Sequence, residues 1–274
     1  MVNILFISTN LKPDIGPCAI RSDLIIKGIE KNYANNNFKL DVITNYPSRY
    51  NSFKIDFEEN IYSNNVNILR LNSINFKNEF INYGFFFIKA FFFSIKTKKK
   101  YDHVICTSSK LMTGFLGYIV SKIHKCNLHL DIRDIFIENI KQIYKNKTFT
   151  FLFIFFDKIE KKIFEKAKSI NLISEGFFPY FSNKYKDISG KFTNFGHGID
   201  TDFFEISKKK NALKKNTQLN KKLILTYIGN IGRGQSLSNI LIGLSNQIID
   251  YELRIIGDGS EKILFEKQVK DKKI

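Results

Sequence analysis

Apolar runs of strand length alternate with longer runs of helical spacing from the first residues onward, and this alternation constrains the fold more than any single motif. NILFIST (3–9) precedes CAIRSDLIIKGIEK (18–31), in which Ile20, Leu24, Ile25 and Ile29 share one helical face. KLDVITN (39–45) and NVNILRL (65–71) follow as strands. An aromatic helix near 79–99 then leads to DHVICTSS (102–109), and MTGFLGYIVSKIH (112–124) leads to NLHLDIRD (127–134). Strand and helix alternating in this way predict a parallel sheet with crossover helices. Strands this apolar call for burial on both faces.

The pattern fails in EISKKKNALKKNTQLNKK (205–222), which reads as a polar linker. It resumes in LILTYIGNIGRGQSLSNIL (223–241), continues in YELRIIGDGS (251–260), and stops within a helical pattern at 274. The predicted organisation is a first domain over 1–205, a linker over 206–222, and the beginning of a second nucleotide-fold domain over 223–274.

Net charge of +17 raises the question of nucleic acid. The make-up of that charge points elsewhere, because only Arg21, Arg49, Arg70, Arg133, Arg233 and Arg254 are arginines among 43 basic residues. Lysine dispersed alongside abundant Asn, Ile and Phe is a solvated surface, so no nucleic-acid partner is expected. Arginine becomes the informative residue, since its planar fork suits phosphate and carboxylate. Cys18, Cys106 and Cys126 have neither CxxC nor Cys/His spacing, so no metal site is expected and a reducing compartment fits. The longest apolar block, FINYGFFFIKAFFFSI (80–95), contains Lys89 and falls short of the roughly 20 residues of a membrane span. Followed by KTKKK, it has the make-up of a core helix or of one that meets an anionic membrane surface.

Three strand-to-helix turns carry the chemistry. STNLKPDIGPCAIRSD (8–23) places Gly16 before a helix N-terminus, where backbone N–H groups suit an anion, though G-x-G-x-x-G is absent. HLDIRDIFIE (129–138) sets Arg133, Asp134 and Glu138 beyond a buried strand, where ligands collect in open α/β sheets. His129 within that strand reads as a core histidine. YIGNIGRGQS (227–236) combines Gly229, Asn230, Arg233 and Gln235 at a turn fit for a diphosphate. His197, between two glycines in FGHGIDTDFF, reads as structural.

In their order and spacing, ILFISTNLKPDIGPCAIR, VITNYPSRY, DIRDIFIE, NLISEGF, FGHGIDTDFF, LTYIGNIGRGQSL and IIGDGSE resemble the family 4 glycosyltransferases, most closely the fucosamine-type enzymes of bacterial surface-polysaccharide synthesis. The resemblance implies an α/β fold of GT-B type, with an N-terminal, acceptor-side Rossmann-like domain and an incomplete second one that binds the nucleotide sugar. It implies a retaining transfer from a nucleotide-sugar donor to a lipid-linked or saccharide acceptor, without metal or other cofactor, in the cytoplasm or at the inner face of the membrane. Catalytic roles fall by resemblance on Arg133, Asp134 and Glu138. Donor-binding roles fall on Gly16, Gly229, Asn230, Arg233, Gln235 and Gly257.

Three departures stand out. Arg133–Asp134 occupies the place of a His–Asp pair in many relatives, and an arginine supplies charge or positioning rather than a general base. Asn230 and Gln235 replace an Arg and a Lys, leaving Arg233 as the nearest cation. The family's E-x7-E pair does not occur between Glu252 and Ile274, so the sequence reads as a donor domain that stops short of it. A binding module or non-catalytic remnant is the competing reading, and an NAD-dependent oxidoreductase lacks its fingerprint.

Overall fold

The computed structural model describes residues 1–14, 16–33, 37–47, 62–71, 79–108, 110–143, 150–198, 223–245 and 250–271. Residues 48–50 of VITNYPSRY, residues 199–204 of FGHGIDTDFF and the linker 206–222 lie outside them. The chain divides into two compact units, Met1–Ile199 and Asp200–Ile274.

The first unit is built on β1 (Val2–Ile7), β2 (Phe38–Asn45), β3 (Val66–Leu71), β4 (His103–Ser108), β5 (Asn127–Ile132), β6 (Ser169–Leu172) and β7 (Phe192–Thr193). They form one seven-stranded sheet in the order β3-β2-β1-β4-β5-β6-β7, with every pairing parallel. Chain order reverses between β1 and β4, which opens the ligand crevice of doubly wound sheets at the carboxyl ends of those strands. The crossover helices are α1 (Pro17–Asn32), α2 (Glu79–Lys96), α3 (Leu111–Ile123), α4 (Phe136–Ile143), α5 (Thr150–Lys166) and α6 (Phe177–Lys184).

Strand alternation assigns each face. Leu5, Ile7, Val104, Cys106, Leu128, Leu130, Ile170 and Leu172 point to one large core shared with α2, α3, α5 and α6. Ile4, Phe6, Leu40 and Val42 point to a smaller core with Ile26 of α1. The expectation of apolar residues on both faces holds for β1 and needs correction for β5. There Leu128 and Leu130 alternate with His129, Asp131 and Arg133, and the second face is buried yet polar.

The apolar face expected for α1 holds in part, since Ile25 and Ile29 pack against the smaller core, and is corrected in part. Its buried residues are Ala19, Arg21, Ser22, Asp23 and Ile26, while Ile20 is 44% exposed. Polar partners explain the rotation: Ser22 Oγ lies 2.7 Å from Ser8 Oγ, Tyr62 donates to Asp23, and Arg21 reaches Asp131. α2 buries Phe86, Ala90 and Ser94 and leaves Ile81, Ile88, Phe92 and Ile95 at the surface. Among the described residues, no helix is long and apolar enough to cross a membrane.

The second unit pairs β8 (Leu223–Ile228) with β9 (Tyr251–Ile256) in parallel, joined through α7 (Leu237–Ser245) and followed by α8 (Lys262–Asp271). Tyr227, Leu253 and Ile255 pack with Ile231, Leu237, Leu241 and Phe265. Ile224, Ile228 and Ile256, which alternate with them along the strands, are exposed.

Candidate functional site

The carboxyl edge of the first sheet gathers its polar residues by register. Thr107 of β4 pairs with Asp131 of β5, and Asp131 with Asn171 of β6, so three neighbouring strands set one polar row. Asp131 accepts from Thr107 Oγ1 at 2.6 Å and from Asn171 Nδ2 at 2.6 Å. Its remaining capacity is taken by Arg21, whose Nε and Nη2 grip the two carboxylate oxygens at 2.8 and 2.6 Å. Burial alone would raise the Asp131 carboxyl. The Arg21 guanidinium, with Thr107 and Asn171, outweighs that and holds it below the usual carboxylate range.

Arg21 also fastens the chain that follows β7. It donates to the carbonyls of Gly196 at 2.5 Å and Phe195 at 2.9 Å, while Asn171 accepts from the Phe195 amide at 2.6 Å. His197 is thereby carried to the rim of the edge. Partial burial, followed by the charges of Arg21 and Arg133, holds its imidazole below the ordinary histidine value.

Arg133 follows β5 on the same face as Asp131 and is 9% exposed. Its Nε and Nη1 are buried with no hydrogen-bond partner among the described residues. Gly16 is the N-cap of α1 with φ 133°, a conformation that favours glycine, and no side chain caps this helix. Gly16 and Arg133 thus both border the carboxyl edge of the sheet.

The structure does not bring Arg133, Asp134 and Glu138 to one point. Asp134 turns to the other face of β5, where it lines a cavity with Lys110 and Glu160 between α3 and α5. Glu138 accepts from Lys141 at 2.9 Å and Tyr180 at 3.1 Å, and the lysine first of all keeps its carboxyl low. His129 lies at the opposite end of β5 in a chain with His103 (2.9 Å) and Ser169 (2.8 Å). Burial foremost, then the charge of His103, lowers it to about 4.

In the second unit, Gly229, Asn230 and Gln235 occupy the turn after β8, and Asn230 Nδ2 donates to Gln235 Oε1 at 3.1 Å. Arg233 begins a short 3-10 turn, Arg233–Gln235, and its side chain lies outside the described residues. Gly257, after β9, has a packing role: a Cβ there would run into the Gly229 carbonyl. The two glycine turns therefore touch through bare backbone. Among the described residues, no cluster of His, Cys, Asp and Glu has the makings of a metal site.

Known structures share this architecture. Sucrose-phosphate synthase from Thermosynechococcus elongatus superimposes with a TM-score of 0.65 at 14% identity, over all of this chain and 68% of that one. Anabaena HepE in complex with UDP and glucose gives 0.59 at 13% identity, over all of this chain and 67% of that one. The fold is GT-B. UDP-N-acetylglucosamine 2-epimerase from Rickettsia bellii also matches, with a TM-score of 0.53 at 16% identity, over 99% of this chain and 65% of that one. The chain thus spans about two thirds of the length of these GT-B structures, and at such identities the likeness carries the fold alone. No protein-family model matches the chain, and no curated protein does.

Sequence reading singled out Arg133 and Gly16 and missed Arg21, Asp131 and Asn171. The available signal was arginine in a lysine-rich chain, together with Thr, Asp and Asn set into three otherwise apolar strands.

Proposed function

We propose that the chain is a glycosyltransferase, or the larger part of one, of the family 4 and fucosamine-transferase type. It moves a sugar from a nucleotide-sugar donor to a lipid-linked or saccharide acceptor in surface-polysaccharide synthesis. The observation that carries the reading is the polar carboxyl edge of a seven-stranded GT-B sheet, with Arg133 and Gly16 upon it. The acceptor-side domain is 1–205, the linker 206–222, and the donor side begins at 223.

Departure of a nucleoside diphosphate leaves negative charge on phosphate, so cations and helix N-termini aimed at that position stabilise the transition state. Arg133 supplies such charge on the acceptor side, while Asp134 and Glu138, to which the resemblance also gave catalytic roles, stand apart from it. Arg233 and the turn of Gly229, Asn230, Gln235 and Gly257 hold the donor. Transfer needs no metal and no cofactor in this reading, and takes place in the cytoplasm at the inner membrane face.

Calorimetric titration with a panel of nucleotide sugars and free nucleoside diphosphates tests donor recognition. Weak, saturable binding that Arg233→Ala abolishes is expected. Absence of binding across the panel, or binding indifferent to Arg233, would contradict the donor assignment.

A further inference from the structure

Between α3 and α5 the first unit holds a cavity of about 30 Å³. That is room for about two water-sized groups. Its walls are apolar where Leu111, Leu130, Ile163 and Phe164 form them, and Lys110 and Asp134, which follow β4 and β5, put one end of it at the carboxyl edge of the sheet.

One buried polar group in this wall has bonding capacity to spare. Glu160 is 3% exposed, and its Oε2 accepts from Lys184 at 2.8 Å and from Tyr185 at 2.6 Å. Its Oε1 has no partner among the described residues. A buried carboxylate oxygen without a donor costs stability, and a donor inside the cavity supplies the missing bond.

Gly114 of α3 completes the wall. A Cβ there would stand 3.6 Å from Ile163 Cγ2 and 3.9 Å from Leu130 Cδ2, ordinary contact distances, so packing does not forbid a side chain and its absence is part of the space. Gly117, in the next turn, differs, because a Cβ there would run into Cys106 Sγ.

These walls define what fits. A carboxylate accepts and does not donate, so the occupant brings an O–H or N–H group to Glu160. Charge at the cavity is already balanced: Asp131 has Arg21, Glu160 has Lys184, and Lys110 borders the cavity together with Asp134. An ammonium would crowd these cations, whereas a hydroxyl adds no charge. The space admits a carbon beside that hydroxyl, and apolar walls suit the carbon.

We propose that this cavity is a specificity pocket for the hydroxymethyl arm of a hexopyranose, with Glu160 Oε1 accepting from its hydroxyl. The hydroxymethyl group is read from the cavity itself. That a hexopyranose carries it rests on the transferase reading.

Saturation-transfer NMR on the full chain tests the pocket with the methyl glycosides of glucopyranose and galactopyranose, and with methyl xylopyranoside, which has the ring of the glucoside without the arm. A hexopyranoside should receive saturation at its hydroxymethyl protons, and the xyloside should bind about tenfold more weakly. Gly114→Ala should weaken hexopyranoside binding by a similar factor while raising the melting temperature, because alanine favours the helix and fills the space. Gly84→Ala, at an exposed position of α2, should raise the melting temperature alike and leave binding unchanged. Equal binding of the xyloside, or binding that Gly114→Ala leaves unchanged, would overturn the proposal. So would an absence of transfer to both hexopyranosides, the result for a cavity that holds water alone. Nucleotide binding at Arg233 is measured with other ligands on the second unit, so failure of the transferase reading and failure of this pocket are distinguishable.

Discussion

Asp131 is the residue on which the carboxyl edge depends, because it joins α1, β4, β6 and the Phe195–Gly198 segment through four hydrogen bonds to Arg21, Thr107 and Asn171. Removing the carboxylate leaves Arg21 buried and unpaired, and breaking a buried pair in this way costs about 3–5 kcal/mol. Asp131→Ala should therefore lower the unfolding free energy from denaturant titration by that amount, and an effect under 1 kcal/mol, the value of a surface pair, would contradict this account. The pH sign follows from the lowered pKa. The stabilisation is complete above the unfolded carboxyl value of 3.8 and is lost as pH falls through the lower folded value, so the parent, and not Asp131→Ala, should show this acid-limb loss. Arg133 was legible in the sequence from its place just past a strand. Arg21 was not, because isoleucine and leucine spacing pointed to a different face of α1, and only tertiary partners turn Arg21, Ser22 and Asp23 inward.

At the scale of elements, α2 is the helix whose composition and setting diverge. Its core side is occupied by Phe86 and Ala90, with Phe87 stacked on Phe115 of α3. Its outer side still carries Ile81, Ile88, Phe92 and Ile95, and the exposed lysines 96, 98, 99 and 100 follow. The first turns of α5 add exposed Phe151, Leu152, Ile154 and Phe155. Apolar side chains flanked by lysine suit an anionic bilayer surface, where each cation contributes about 1 kcal/mol. Flotation with anionic liposomes should carry the protein, and neutral liposomes should carry much less. A Phe92→Ser, Phe155→Ser double variant should remain in solution. Equal absence from both liposome types would leave α2 as a core helix only. The strand and helix positions of the first unit were readable from periodicity. The polar face of β5 was not, since Asp131 and Asn171 are isolated in apolar runs and only sheet register aligns them.

At the scale of the whole molecule, the alternation of strands and helices foretold the parallel sheet, and its order β3-β2-β1-β4-β5-β6-β7 places the reversal beside β1. What periodicity does not carry is reaction type, because the same fold serves transferases and an epimerase. Positioning of a donor between two domains supplies on the order of 7–11 kcal/mol of barrier reduction in well-oriented reactions. A radiolabelled nucleotide-sugar assay, run with a prenyl-diphosphate saccharide acceptor, tests the transferase reading most directly. A chimera that follows the second unit with the corresponding C-terminal segment of a structurally similar transferase should yield a glycosylated acceptor and free nucleoside diphosphate, and should lose that activity on Arg133→Met. A chimera that epimerises or hydrolyses the donor without glycosylating the acceptor, or that is indifferent to Arg133→Met, would contradict the account.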